Sequence, residues 1–321
     1  MRLSVIAIVV TMFAGAASAQ SIAPASRAVV AAAAPPRLEQ LVVRADDGEP
    51  LAVWAKRPAG HAIGSILLLH GRTWSALPNF DLHVGDESRS TMDALAGSGY
   101  AVYALDQRGY GATPRDSSGW LTPDRAARDA GEVLDWIAAR EAKSGGSAGR
   151  PALLGYSRGT LTALLTAQQY ADKLSSLILY GLIYDSRTRG THTPDPAVPP
   201  RAHTTATAAG EDFITPGAFP PAVKDAYVRA ALLRDTVRVD WKDENEFDVL
   251  DPHALHMPVL VLNGELDPYV RASEAPSFFA QLGSIDRSWV VLSNSDHVAH
   301  LERPRDFVHA ITSFLEGERR R

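Results

Sequence analysis

The stretch Leu153-Leu154-Gly155-Tyr156-Ser157-Arg158-Gly159 constrains this chain more than any other. An apolar run from Pro151 to Leu154 enters it, and Leu161, Leu164 and Leu165 follow at helical spacing. That pattern reads as strand, tight turn and helix, with a serine at the apex. Such an apex requires glycine on both sides, because its backbone is strained and strand and helix approach too closely for side chains. The turn lifts the hydroxyl of Ser157 clear of the sheet and puts the amide of Arg158 at a helix start, where backbone N–H groups attract an anion. The pentapeptide alone is weak evidence. Gly145-Gly146-Ser147-Ala148-Gly149 fits the same Gly-x-Ser-x-Gly pattern, but it precedes the strand in a run of small residues and reads as a flexible loop.

Strands and helices alternate on either side of this turn. Leu38–Val43 and Leu51–Lys56, separated by Asp46-Asp47-Gly48, form a hairpin. Ile66–Leu69, Tyr100–Leu105, Leu177–Leu182, Val259–Leu262 and Trp289–Leu292 are apolar runs of the kind buried on both faces of a parallel sheet. Helical spacing appears at Met92–Ala96, after a cap at Thr122 or Asp124, at Ala272–Leu282 and at Arg303–Leu315. The alternation predicts an α/β fold with a mostly parallel central sheet, right-handed crossovers and helices on both faces. The rhythm breaks between Asp185 and Leu250, with seven prolines from Pro194 to Pro221 and an acidic run from Asp240 to Asp251. Inside this stretch Pro220-Pro221 opens one helix carrying Val223, Tyr227, Ala230 and Leu232. Because alternation resumes at once, residues 185–250 read as an inserted cap on a core of 38–184 and 251–321.

The ends read differently. Met1–Ala19 has a positive charge at Arg2, an apolar run from Val5 to Ala14 and Ala17-Ser18-Ala19 before Gln20. This is the layout of a signal peptide cleaved after Ala19, with export to periplasm or medium as the expectation. The run is shorter than the roughly 20 residues that span a bilayer, so no stable membrane insertion is expected once the leader is removed. Residues 20–37 are a linker rich in alanine, proline and serine. With no cysteine, an exported product would rest on its core alone, and 321 residues with 45% apolar content can build a large one. A formal charge of −5 gives no basic balance for nucleic acid. No P-loop or dinucleotide-type glycine pattern stands between a strand and a helix, so no cofactor is indicated.

Five segments, each after a successive strand, together resemble the α/β-hydrolase superfamily. They are the Ser157 turn, His70-Gly71-Arg72-Thr73-Trp74, Asp106-Gln107-Arg108-Gly109-Tyr110-Gly111, Gly264-Glu265-Leu266-Asp267, and His297 followed by His300-Leu301-Glu302 and Pro304. The resemblance covers nearly the whole mature chain and implies the order nucleophile, acid, histidine, which Ser157, Asp267 and His297 satisfy. The chemistry is consistent with that order. A serine hydroxyl needs an adjacent base to take its proton during attack. The imidazole of His297 serves as that base, and a carboxylate behind it, Asp267, fixes its tautomer and steadies its cation. The amides of Arg72 and Arg158 are the expected oxyanion donors. Trp74, Trp120 and Tyr156 are candidate pocket walls, although a buried tryptophan is more often simply core.

Each role has a plainer rival. His300 shares the loop of His297 and reads as a packed, hydrogen-bonded histidine. Asp185 follows a strand and competes with Asp267, whereas Asp251, before a proline, reads as a turn former. Asp106 and Arg108 read as a turn-stabilising ion pair. Glu302 reads as a cap of the last helix or of its neighbouring loop. His253 and His256 read as solvated surface rather than a metal site. The expected reaction is cleavage of a small carboxylic ester through an acyl-enzyme. Amide or peptide cleavage of the proline iminopeptidase type, or lactone opening, is the alternative. The loop after His70 lacks the glycine repeat those peptidases show, and the serine argues against epoxide and haloalkane chemistry, which uses a carboxylate at that place. A non-catalytic ligand binder of the same fold is the remaining class.

Overall fold

The computed structural model describes residues 36–85, 87–146, 149–270 and 274–320. The expected leader, its cleavage point after Ala19, all but the last two residues of the linker, and Ser147 of the second glycine-rich pentapeptide lie outside the described residues.

Eight strands form one sheet: β1 (Glu39–Arg44), β2 (Pro50–Lys56), β3 (Gly64–Leu69), β4 (Tyr100–Leu105), β5 (Ala152–Tyr156), β6 (Leu177–Tyr180), β7 (Val259–Gly264) and β8 (Arg287–Leu292). Their order across the sheet is β1-β2-β4-β3-β5-β6-β7-β8. The first two pairings, β1 with β2 and β2 with β4, are antiparallel; the rest are parallel. Alternate residues of β3 explain why it reads as a continuous apolar run. Leu67 and Leu69 enter one core cluster with the helices Pro123–Lys143 and Gly159–Gln169. Ile66 and Leu68 enter the other with Thr91–Gly97 and Pro304–Arg319. Side chains two apart share a face, so the helices cover both faces.

Local signals set the element ends. The hydroxyl of Thr122 accepts from the Arg125 amide at 3.2 Å, so Thr122 caps the long helix, with Pro123 in its first turn. β6 stops at Tyr180 rather than Leu182 because Gly181 turns the chain with a φ of 61°. The last helix continues to Arg319, beyond its apolar stripe.

Between Tyr180 and Val259 the chain adds nothing to this sheet. It carries short helices and the longer helix Pro221–Arg234. Phe213, Val223, Tyr227 and Ala231 of this excursion form a third apolar cluster with Trp74, from the loop after β3, and with Val298 and Leu301, from the segment after β8. The excursion is thereby packed over loops at the carboxyl ends of the strands, where open α/β sheets hold ligands.

Candidate active site

Ser157 follows β5 directly and has a φ of 53°, a left-handed conformation uncommon outside glycine. Its surroundings hold it there. A Cβ on Gly155 would run into the carbonyl of Gly159, and one on Gly159 would lie 2.5 Å from the His70 carbonyl oxygen. Gly71 is needed for the same reason, since a Cβ there would lie 3.2 Å from that of Ser157.

His297 is buried, and its Nδ1 lies 2.8 Å from Asp267 Oδ2. The other oxygen of Asp267 accepts the amide of Tyr269 at 2.9 Å, so the carboxylate is fixed at both ends. Two rings flank the imidazole, Tyr269 edge-on at 4.6 Å and Tyr156 at 5.1 Å. Below it the Tyr180 hydroxyl donates to the His297 carbonyl at 2.7 Å. Ser157 and His297 both line a pocket of about 330 Å³, with Arg72, Trp74, Tyr156, Arg158, Asp212, Tyr227 and Tyr269 among its walls.

The loop bearing Arg72 is held from several sides. Asp235, at the end of the helix Pro221–Arg234, accepts the amide and hydroxyl of Ser75 at 2.9 and 2.8 Å and the amide of Gly111 at 2.9 Å. Tyr110 donates its hydroxyl to the Arg72 carbonyl and accepts from the Trp241 indole at 2.9 Å. Among the described residues, neither the amide of Arg72 nor that of Arg158 donates to another protein group.

Most rivals are placed elsewhere. His300 is buried beside the Tyr180 hydroxyl at 2.9 Å, and burial and the neighbouring His297 push its pKa down to about 3. Asp185 accepts from the amide and Nε of Arg187 at 3.0 and 2.9 Å, and Asp251 accepts the amide of His253 at 3.0 Å. His253 and His256 are exposed. Trp120 pairs through its backbone with Asp240, away from the pocket walls. Glu302 accepts the amide of Asp296 at 2.7 Å and so braces the histidine loop.

The expected ion pair between Asp106 and Arg108 does not form. Asp106 takes the amides of Ala76 and Ala112, each at 2.9 Å, and the Trp54 indole at 2.8 Å. Arg108 points the other way, to Asp129 at 2.6 Å. Two residues apart in an irregular turn, the side chains diverge.

Asp212, Tyr269 and Glu244 have no role in the sequence reading, and Tyr227 enters it only as an apolar position of a helix. Asp212 brings a half-buried carboxyl into the pocket; burial pushes its pKa up, against the pull of His297 and the Tyr269 hydroxyl. Tyr269 could have been flagged, standing two residues beyond Asp267. Asp212 and Glu244 lie in stretches without periodicity and carry no such signal. Among the described residues, Asp81, His83 and Asp93 come together as metal ligands might. The Lys56 ammonium, 2.6 Å from Asp81 and 2.5 Å from Asp93, already supplies the positive charge there.

The sheet order, with Ser157 in its strained turn after β5 and Asp267 and His297 after β7 and β8, is that of an α/β-hydrolase. The chain belongs to the family described as serine aminopeptidase, S33, whose model matches residues 60–304. No curated protein matches it in sequence. Similar solved structures include epoxide hydrolase A from Mycobacterium thermoresistibile, at 19% identity and a TM-score of 0.64 over 88% of this chain and 99% of that one. A thermophilic esterase from Thermogutta terrifontis has 18% identity and a TM-score of 0.59 over 87% and 99%. A serine hydrolase involved in carbazole degradation has 20% identity and a TM-score of 0.58 over 87% and 99%. At these identities the likeness is one of fold. Among the described residues no helix is long and apolar enough to cross a membrane.

Proposed function

We propose that this hydrolase is a serine esterase, cleaving small carboxylic esters through an acyl-enzyme on Ser157. One observation carries the reading: the buried bond between His297 Nδ1 and Asp267 Oδ2 leaves the other imidazole nitrogen for the pocket that Ser157 also lines. In the first half-reaction Ser157 Oγ attacks the ester carbonyl and passes its proton to His297, while Asp267 steadies the imidazolium. The carbonyl oxygen, now negative, takes the amides of Arg72 and Arg158. Collapse expels the alcohol, which receives the proton from His297. Water then repeats the sequence on the acyl-enzyme. Trp74 and Tyr156 are walls for the substrate, and residues 185–250 act as the cap over it. A serine at this place supports acyl transfer over the epoxide chemistry in the name of one similar structure.

The second reading, cleavage of an amide with an amino terminus, is favoured by the description of the matched family. A panel of p-nitrophenyl esters, lactones and proline amides, tried with the purified protein, separates the two. Ester turnover, abolished in Ser157→Ala and accompanied by a phosphonate adduct on Ser157 by mass spectrometry, is the expected result. A labelled residue other than Ser157 overturns the assignment, and binding without turnover of any of the panel points to the non-catalytic class. We also propose export with cleavage after Ala19, for which a mature amino terminus at Gln20 is the test.

A further inference from the structure

Arg72 and Arg158 stand on different loops, one after β3 and one after β5, yet their side chains converge on a single carboxylate. Glu244 Oε1 lies 2.8 Å from Arg72 Nη2, and its Oε2 accepts from Arg158 Nη2. The segment around Glu244 holds both arginines in other ways. The Arg158 guanidinium lies 4.8 Å from the Phe247 ring centre and 5.6 Å from that of Trp241. Trp241 also donates to the Tyr110 hydroxyl that holds the Arg72 carbonyl. This segment is itself tied to the body, since Asp240–Trp241 pairs with Trp120–Leu121 and the Lys242 amide donates to the Leu121 carbonyl at 3.0 Å.

Two guanidiniums side by side repel, and their partial burial adds to the repulsion because less water screens it. Burial works against the charge of Glu244 as well, yet Arg158 and Arg72 outweigh it and hold that carboxyl below its ordinary range, so it stays ionised between them. An oxyanion hole works only when both donors aim at one point, and a misplacement of about 1 Å can cost roughly 100-fold in rate.

We propose that Glu244 is a positioning residue for the oxyanion hole, fixing the two loops so that the amides of Arg72 and Arg158 converge. The inference rests on the esterase reading above and adds to it a residue that touches neither the substrate nor the reacting atoms.

The test uses p-nitrophenyl acetate and a trifluoromethyl ketone, which forms a tetrahedral adduct in the same hole. Glu244→Ala is expected to lower kcat about 30-fold to 100-fold with KM within about 3-fold, and to weaken the ketone by a similar factor. Glu244→Gln, which keeps the size and one acceptor oxygen but turns a donor toward the second guanidinium, is expected to lose at least about 10-fold in kcat and in ketone affinity and carries the test should the alanine variant not fold, an unchanged kcat and ketone affinity in it overturning the proposal. A folded Glu244→Ala with kcat and ketone affinity unchanged overturns the proposal, as does a loss confined to KM. Both outcomes leave the esterase reading standing if Ser157→Ala is inactive; a wild type that turns over no ester fails that reading instead.

Discussion

His297 Nδ1 and Asp267 Oδ2 are 2.8 Å apart, and both side chains are buried. An amide in place of the carboxylate keeps the shape but stabilises the wrong tautomer and leaves the imidazolium without a counter-charge. Asp267→Asn is expected to lower kcat on p-nitrophenyl esters by about 1,000-fold to 10,000-fold, with the melting temperature and KM little changed. A loss under about 10-fold would assign the acid to another residue.

Gly181 is the narrow point beside the imidazole. Its φ is 61°, and a Cβ there would lie 3.0 Å from His297 Cε1 and 3.2 Å from Nδ1. Gly181→Ala should cost about 1 kcal/mol or more in stability from the left-handed backbone alone. It should also displace the ring enough to reduce kcat roughly 100-fold. Steady-state kinetics and urea unfolding of the same preparation read both.

Three buried groups make stability depend on pH, in opposite senses. Burial pushes His70 down to about 4 and His300 down to about 3. Below the ordinary imidazole value of 6.5 the unfolded chain therefore binds more protons, and stability falls as the pH drops from about 6.5 toward 4 and 3. Burial and the neighbouring Asp296 push Glu302 up from 4.5 to about 7, so the folded chain binds the extra proton in that window. Its contribution is present below 4.5 and is lost as the pH rises through about 7. Relative to wild type, Glu302→Gln should gain melting temperature at pH 8 and not at pH 4.5, and an offset independent of pH would contradict the assignment.

The Arg108–Asp129 pair, each side chain 2% exposed, is a structural counterpart to these. Arg108→Met should destabilise the fold by about 1–2 kcal/mol, less than the roughly 3 kcal/mol of a buried charge left alone, because Arg125 Nη2 still lies 2.6 Å from Asp129. Neither residue lines the pocket, so kcat/KM measured well below the melting temperature should stay within a few-fold of wild type.

Much of this was legible in the sequence because it is written locally. Gly155, Ser157 and Gly159 encode their turn through steric need alone, and β3 shows its burial on both faces as an unbroken Ile-Leu-Leu-Leu. Asp267 and His297 can be ordered because each follows an apolar run. Asp212 and Glu244 could not be found this way. Their places follow from how Phe213, Tyr227 and Trp241 pack against Trp74 and Tyr110, and such contacts between distant segments leave no period in the chain. Asp106 and Arg108 show the opposite error, in which nearness along the chain suggests a contact that the turn geometry prevents.

The left-handed φ of 53° at Ser157 has a consequence for durability. A side chain at that α-carbon costs on the order of 1 kcal/mol that glycine would not incur, so Ser157→Gly should melt above Ser157→Ala, with ester turnover expected from neither. The hydroxyl proposed as nucleophile thus sits where the backbone itself would favour no side chain, so the chemistry proposed for it would be held in place at a cost in stability.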